Sequence, residues 1–412
     1  MASESTADRD VAIVGGGVHG VHLAVRLLEA GVVERDRLRI VEPDGLLATF
    51  RRKCAQCGMR ELRSPFVHHV DVDPFSLRDF ARSRGREDEL VPSEVGAERP
   101  TVDLFFDHAA AIIDRYGLES TVLEARATAL EERADGVDVE TTAGRLSTGA
   151  CVLAIGHGGS YARPEWAAAL PADASVTHVW DDGFDPDTVG ETARVGIVGG
   201  GITAAQLATT LAQPGRDVTL FARSPFRVET LEAGREWMHF SGAVDELQAL
   251  PPGSRARAQT VVEARRDGAM PPEVFARLRR TIDRDWVDLE RSEIEVVTPA
   301  GGTVVLTCRD GTATWVDELV LATGFDSPYD APLYRRLRED TALATGYRGV
   351  PVLDDDTLRW RRVDGTNARV AVSGIAAQGV LGPFARNVIG ARRAGDLLVD
   401  ALESLEFAPR PT

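Results

Sequence analysis

Short apolar runs alternate with helical patterns along this chain, and the alternation sets the expected elements. Residues 11–14 and 38–41 are compact apolar runs joined by a segment with helical spacing, which predicts a strand–helix–strand unit over roughly 10–42. Apolar runs of this length between turn signals suit parallel strands buried on both faces. The stretch from 45 to about 73 shows neither period and reads as irregular, dense in Arg, Cys and His. Residues 83–100 are charged and read as an exposed loop with short helices. A helix is expected over 101–116, then strands at 122–129, 137–141 and 151–155 that form a small meander. The strand–helix–strand pattern returns at residue 193, with strands at 195–198 and 218–221. Helical spacing fills 254–291, broken at Met270-Pro271-Pro272, further strands are expected at 294–297 and 304–307, and the segment 316–325 is expected to bring the chain back toward the first domain. A final helix is expected over 388–398.

Both strand–helix junctions carry glycine turns. The first reads Gly15-Gly16-Gly17-Val18-His19-Gly20 and the second Gly199-Gly200-Gly201-Ile202-Thr203-Ala204, with triplets at 15 and 199, 184 residues apart. A strand feeding a glycine turn at a helix N-terminus presents backbone N–H groups and the helix dipole to a pyrophosphate. Gly15, Gly17 and Gly20 serve the first cradle; Gly199, Gly201 and Ala204 serve the second. The strand after the first turn ends in Glu42, placed to accept adenosine ribose hydroxyls, which fits FAD. The equivalent strand of the second unit ends without an acid. Arg223, Ser224 and Arg227 follow it and suit a ribose 2′-phosphate, which fits NADPH rather than NADH.

The fold class expected is therefore α/β, with two Rossmann-type dinucleotide-binding domains and the NADPH domain inserted into the FAD domain. Residues 1–190 and 316–412 would form the FAD domain and 191–315 the NADPH domain. A chain of 412 residues has the length for two cores.

Composition narrows the partners. The net charge of −17 disfavours nucleic acid and anionic membranes. No apolar run approaches the length of a membrane span, and the polar N-terminus leaves no room for a signal peptide. Four cysteines are too few for a disulfide scaffold in a chain of this size, so a reducing, cytoplasmic location is expected. Lys53 is the sole lysine, which speaks against lysine Schiff-base chemistry. Cys54-Ala55-Gln56-Cys57 has no second CxxC to complete a zinc site, so no metal is expected. The same pair leaves open a redox-active dithiol.

The glycine turns, the Leu321-Ala322-Thr323-Gly324-Phe325 segment and the Gly58-Met59-Arg60-Glu61-Leu62 segment together resemble the two-dinucleotide flavoprotein family. Class B flavin monooxygenases are the nearest branch, in particular N-hydroxylating enzymes that act on ornithine or lysine. The longer Phe-x-Gly-x-x-x-His-x-x-x-Tyr/Trp signature of many flavin monooxygenases is reduced here to Thr177-His178-Val179-Trp180. The resemblance implies FAD, NADPH, molecular oxygen and a small substrate whose nitrogen or sulfur is hydroxylated through a flavin C4a-(hydro)peroxide. It also implies that Arg63, His68 and His69 run beneath the flavin ring, where a cation or imidazole tunes its electronics. Gly324 and Gly374 would approach the cofactor closely, and Gln378 and Asn387 would give polar contacts to flavin or substrate. His157 is a further candidate for facing the nicotinamide. Two rival readings are a flavin-linked dithiol/disulfide reductase using Cys54 and Cys57, and a non-catalytic redox sensor. Self-association is left open.

Overall fold

The structure, a computed structural model, describes residues 9–93, 96–238, 242–405 and 407. Its first sheet has eight strands. Arg9–Val14 lies at the centre, with Leu38–Val41 parallel on one side and Gly144–Leu153 parallel on the other. Val11, Ala12 and Ile13 are completely buried, as strands covered on both faces require. Asn367–Val372 extends this sheet beyond Gly144–Leu153, so the end of the chain returns to the unit formed by its start. The final helix, Val388–Glu403, packs against Val18–Glu29.

The second sheet is parallel throughout, in the order Asp288–Glu290, Asp217–Phe221, Arg194–Val198, Glu318–Leu321, Val176–His178. Two of its strands fall outside the 191–315 span expected for this unit. Val176–His178 and Glu318–Leu321 hydrogen-bond to each other and build out one side of the sheet. Short runs such as these give no local sign of which sheet they will join; pairing between distant segments decides it. A three-stranded antiparallel meander (Ile294–Ala300, Thr303–Cys308, Ala313–Val316) packs beside this sheet.

Other expectations shift in detail. The 122–129 strand divides into Val122–Leu123, parallel to Leu38–Val41, and Ala127–Glu132, which starts the meander. The expected 101–116 helix is Val102–Tyr116, with Thr101 capping the Leu104 N–H. The main departure lies in the segment read as irregular. Ala48–Cys57 is a helix of ten residues, closed by Gly58 in the left-handed conformation (φ 65°). Its sequence is largely polar and lacks a clean apolar stripe, because its two ends bury into different units.

All seven described histidines have their pKa lowered from the ordinary 6.5: His19, His68, His69 and His178 to about 4, and His22, His108 and His157 to about 3. Burial is the leading cause at each. The unfolded imidazoles hold protons that the folded ones do not, so stability present above pH 6.5 is lost as pH falls toward 4. Unfolding at pH 5.5 should therefore take up protons. Calorimetry in buffers of different ionisation enthalpy measures this, and net proton release at that pH would contradict the burial.

Candidate functional site

The two glycine turns are built alike, contact for contact. In the first, the Gly15 N–H donates to the Val41 carbonyl and the Ala154 N–H to the Val14 carbonyl. In the second, the Gly199 N–H donates to Phe221 and the Ala322 N–H to Val198. A Cβ on Gly15 would stand 2.5 Å from the Ala154 oxygen, and one on Gly199 would stand 2.5 Å from the Ala322 oxygen. Close packing of the neighbouring strand thus demands glycine at both positions. Gly20 lets its helix settle on the turn, since a Cβ there would fall 1.9 Å from the Gly15 oxygen. Buried Ala204 takes that place in the second unit. Gly17 differs: a Cβ there would meet no protein atom within 4 Å. The turn is open where an anion would lie against the N-terminus of Val18–Glu29.

Glu42 closes the first cradle. Its carboxylate accepts from the Gly16 N–H at 2.7 Å and the Asp44 N–H at 3.3 Å. Burial raises its pKa, and those two N–H groups oppose the rise. In the second cradle Arg223 is exposed on the rim and pairs with Glu293 at 3.3 Å. An acid absent from the expected strand end is therefore supplied by a loop 70 residues further on.

One cavity of 1960 Å³ is lined by Gly15, Gly17 and Glu42 at one end and by Gly199, Gly201 and Arg223 at the other. Ligand sites for one small molecule span about 300–1,000 Å³, so this space suits two. Gly324, Gly374, Arg63, Gln378, Asn387 and His157 also line it. Ser224, Arg227, His68 and His69 do not. The Ser224 carbonyl is capped by Arg291, and Arg227 is exposed beyond the turn. His69 is completely buried, with Nδ1 accepting from the Asp71 N–H and its ring edge-on to His108 at 4.8 Å. Neither histidine reaches the cavity wall, although Arg63 of the same loop does.

Arg63 lines the cavity but has its donors engaged. Its guanidinium donates to the carbonyls of Thr230, Glu229 and Ala269 and pairs with Glu232 at 3.3 Å. Glu232 also takes Arg386 at 2.5 Å. Glu232 belongs to the segment between strands of the second sheet, whereas Arg63 and Arg386 belong to the first unit, so the trio staples the two units together. Burial lowers Arg63's pKa, and Glu232 opposes that. Arg63 is thus a structural fastener, a role its sequence context did not reveal. Gln378 donates to the Tyr329 hydroxyl at 2.9 Å. The Asn387 Oδ1 is buried and has no partner among the described residues, at the start of the Val388–Glu403 helix.

The chain crosses from the first unit to the second near 156–176 and returns near 322–327. The crossings touch each other: the Ala162 N–H donates to the Gly324 carbonyl, the Thr323 hydroxyl donates to Ala162, and Tyr161 bridges to Phe325. His157 stacks on Phe325 with ring centres 4.1 Å apart, which answers for its place in the turn. Lys53 is an active part of this seam that sequence reasoning set aside. Its Nζ lies 4.9 Å from the Phe325 ring centre, 5.1 Å from Tyr161 and 5.7 Å from Trp180. Burial lowers its pKa to about 8. Only its uniqueness in the composition marked it.

Cys54 and Cys57 are free and buried. Burial pushes both thiols up, Cys57 to about 12. Neither lines the cavity, and the Cys57 thiol is turned to the Gln206 side chain at 3.6 Å. Among the described residues no cluster fit to hold a metal ion occurs, and no helix is long and apolar enough to cross a membrane.

Residues 12–158 match the family model for FAD-NAD(P)-binding domains. Over 239 residues the chain is 29% identical to pentalenolactone D synthase of Streptomyces arenae, an alignment covering 54% of this chain and 37% of that protein. The chain therefore matches little more than a third of that curated relative's length. Among solved structures it shares the fold of the ornithine N-hydroxylase from Kutzneria sp. 744, solved with reduced FAD, NADP+ and L-ornithine. That match has 19% identity, covers 97% of this chain and 99% of the other, and reaches a TM-score of 0.76. The bacillithiol disulfide reductase of Bacillus cereus shares it less closely, at 15% identity, 97% and 99% coverage and a TM-score of 0.60. The chain thus shares its fold with both of these proteins.

Glu232→Ala would leave two part-buried guanidiniums facing each other. It should destabilise the chain by about 2–3 kcal/mol, while Glu232→Gln should cost less by keeping acceptors in place. Differential scanning calorimetry of both variants measures this. An unchanged melting temperature in Glu232→Ala would show that the staple carries no load.

Proposed function

We propose that this chain is an FAD-dependent, NADPH-reduced monooxygenase that hydroxylates a small nitrogen or sulfur nucleophile. The observation that carries this reading is the single cavity joining two strand–glycine–helix cradles. Such a space lets one nucleotide deliver a hydride to another.

The residues present fit a flavin in the first cradle. Gly17 leaves room for a pyrophosphate, Glu42 stands ready for ribose hydroxyls, and the unpartnered Asn387 Oδ1 offers an acceptor at the far end. When bound, the flavin would accept hydride and supply the oxygen chemistry. The protein's own part is to orient and enclose. The N-terminus of Val388–Glu403 would favour negative charge nearby. Aromatic rings at the seam, Tyr161, Trp180 and Phe325, would keep water from the space between the nucleotides.

A dithiol/disulfide reductase needs a thiolate that reaches the flavin. Raised thiol pKa values and burial away from the cavity speak against that role for Cys54 and Cys57. The fold alone leaves this choice open, since disulfide reductases share it. Free, buried cysteines also support a reducing, cytoplasmic location.

The decisive experiment measures oxygen uptake driven by NADPH across amines, amino acids and thiols, with hydrogen peroxide followed in parallel. Substrate-dependent uptake without matching peroxide release is expected. Peroxide release alone with every candidate would count against the monooxygenase.

Gly17→Ala should fold with near-native stability and lose its flavin absorbance, because the added methyl points only into the cavity. Gly20→Ala should instead unfold or melt far lower, because its methyl strikes the turn itself. Equal flavin retention in Gly17→Ala and wild type would move the pyrophosphate elsewhere.

Arg223 favours a 2′-phosphate, but Glu293 already holds part of its charge. NADPH should be preferred over NADH by about tenfold, or ~1.4 kcal/mol. Arg223→Ala should abolish the preference and Glu293→Gln should raise it. Stopped-flow flavin reduction with both nucleotides reads this out, and a preference unmoved by either change would relocate the 2′-phosphate contact.

The Cys54→Ser/Cys57→Ser double variant should keep NADPH-driven flavin reduction and oxygen consumption. Loss of turnover with retained flavin reduction, in an enzyme that reduces disulfides, would favour the reductase.

A further inference from the structure

The helix Ala48–Cys57 runs from one cradle to the other. At its start, the Leu47 N–H donates to the Gly16 carbonyl at 2.8 Å, so the helix is rooted in the first glycine turn. At its end, the Gln56 side chain donates to the carbonyls of Asp181 and Phe184 at 2.8 and 3.1 Å, and Cys57 contacts Gln206. Gln206 lies on Ile202–Leu211, the helix that the second glycine turn opens. A Cβ on Gly58 would stand 1.8 Å from the Thr210 hydroxyl of that same helix, so the approach is as close as glycine allows. Ten residues at 1.5 Å each make a rigid spacer of about 15 Å.

Lys53 sits midway along this spacer. It meets Tyr161 from the outward crossing, Phe325 from the return crossing and Trp180 from the second unit itself. Phe325 and Trp180 are nearly parallel, at 14°, and Tyr161 stacks on His178 at 3°. Among the described residues no carboxylate lies within ion-pair distance of Lys53; Asp182, the acid that acts on it, pairs with the neighbouring Arg52 at 3.1 Å. The ring faces therefore serve as its partner, as aromatic quadrupoles do for a cation.

We propose that Lys53 is a positioning residue: by binding rings from both crossings to the spacer helix, it fixes the angle at which the second unit presents its nucleotide to the first. This rests on the two-nucleotide reading above. Hydride transfer needs donor and acceptor atoms within about 3–3.5 Å, so a small change in that angle lowers rate rather than affinity.

Two measurements test it. Being the only lysine, Lys53 gives one side-chain signal after reductive methylation with ¹³C-formaldehyde, distinct from that of the α-amine. In the protein as purified, that signal should be shifted upfield by the rings and should return toward the free dimethyl-lysine position in Phe325→Leu. An unshifted wild-type signal overturns the cage, whatever the cofactor. Stopped-flow reduction of the flavin-loaded protein then tests the consequence. Lys53→Met should lower the limiting reduction rate roughly 5- to 30-fold, with the nucleotide Kd within about twofold of wild type. Lys53→Arg should recover most of the rate. Equal loss in Met and Arg variants, or a rate unchanged in Lys53→Met, overturns the positioning role. Failure of the wild type to bind flavin or oxidise NADPH would instead overturn the functional reading and leave the NMR result standing.

Discussion

Two anion cradles are useful to each other only when held at a set distance, and everything in this molecule follows from how that distance is held. Each cradle is a local device: a strand, a glycine turn and a helix N-terminus. Their separation depends on the polar helix Ala48–Cys57, which is rooted in one turn and wedged against the helix of the other. Two further ties keep the units from pivoting about it. One is Glu232, clasped by Arg63 and Arg386. The other is the paired crossings with the Lys53 cage.

These ties differ in what they tolerate. The Glu232 clasp is a partly buried ion cluster whose members depend on one another, so removing the acid is worse than never having built the cluster. Lys53 rests on ring faces, which attract a cation without matching its hydrogens one by one. The cradles themselves admit no adjustment, because Gly15 and Gly199 are pressed against the carbonyls of adjacent strands.

The sites judged catalytic by resemblance fare unevenly in this light. Asn387 and Gln378 reach the cavity wall, and Asn387 brings an unpartnered oxygen to it. Arg63 reaches the wall too, but its donors are consumed by the second unit. His68 and His69 do not reach the wall, and burial keeps them neutral. A polar loop near a flavin site can be rich in chemistry and still be spent on holding a seam.

The cradles were legible in the chain itself, because their demands are local. Gly15, Gly17 and Gly20, with Glu42 at the next strand end, answer to contacts made within one strand–turn–helix unit. The same holds for the repeat at Gly199, Gly201 and Ala204. The insertion of one unit into the other was legible from where the second repeat begins. The tertiary structure alone decided which sheet received Val176–His178 and Glu318–Leu321, that Ala48–Cys57 is a helix, that Arg63 is a fastener, and that Glu293 meets Arg223. Each of these rests on groups far apart in the chain, which no periodicity records. A helix such as Ala48–Cys57 has no apolar stripe to announce it, because each of its ends is bought by a different neighbour, and those neighbours exist only once the chain has folded.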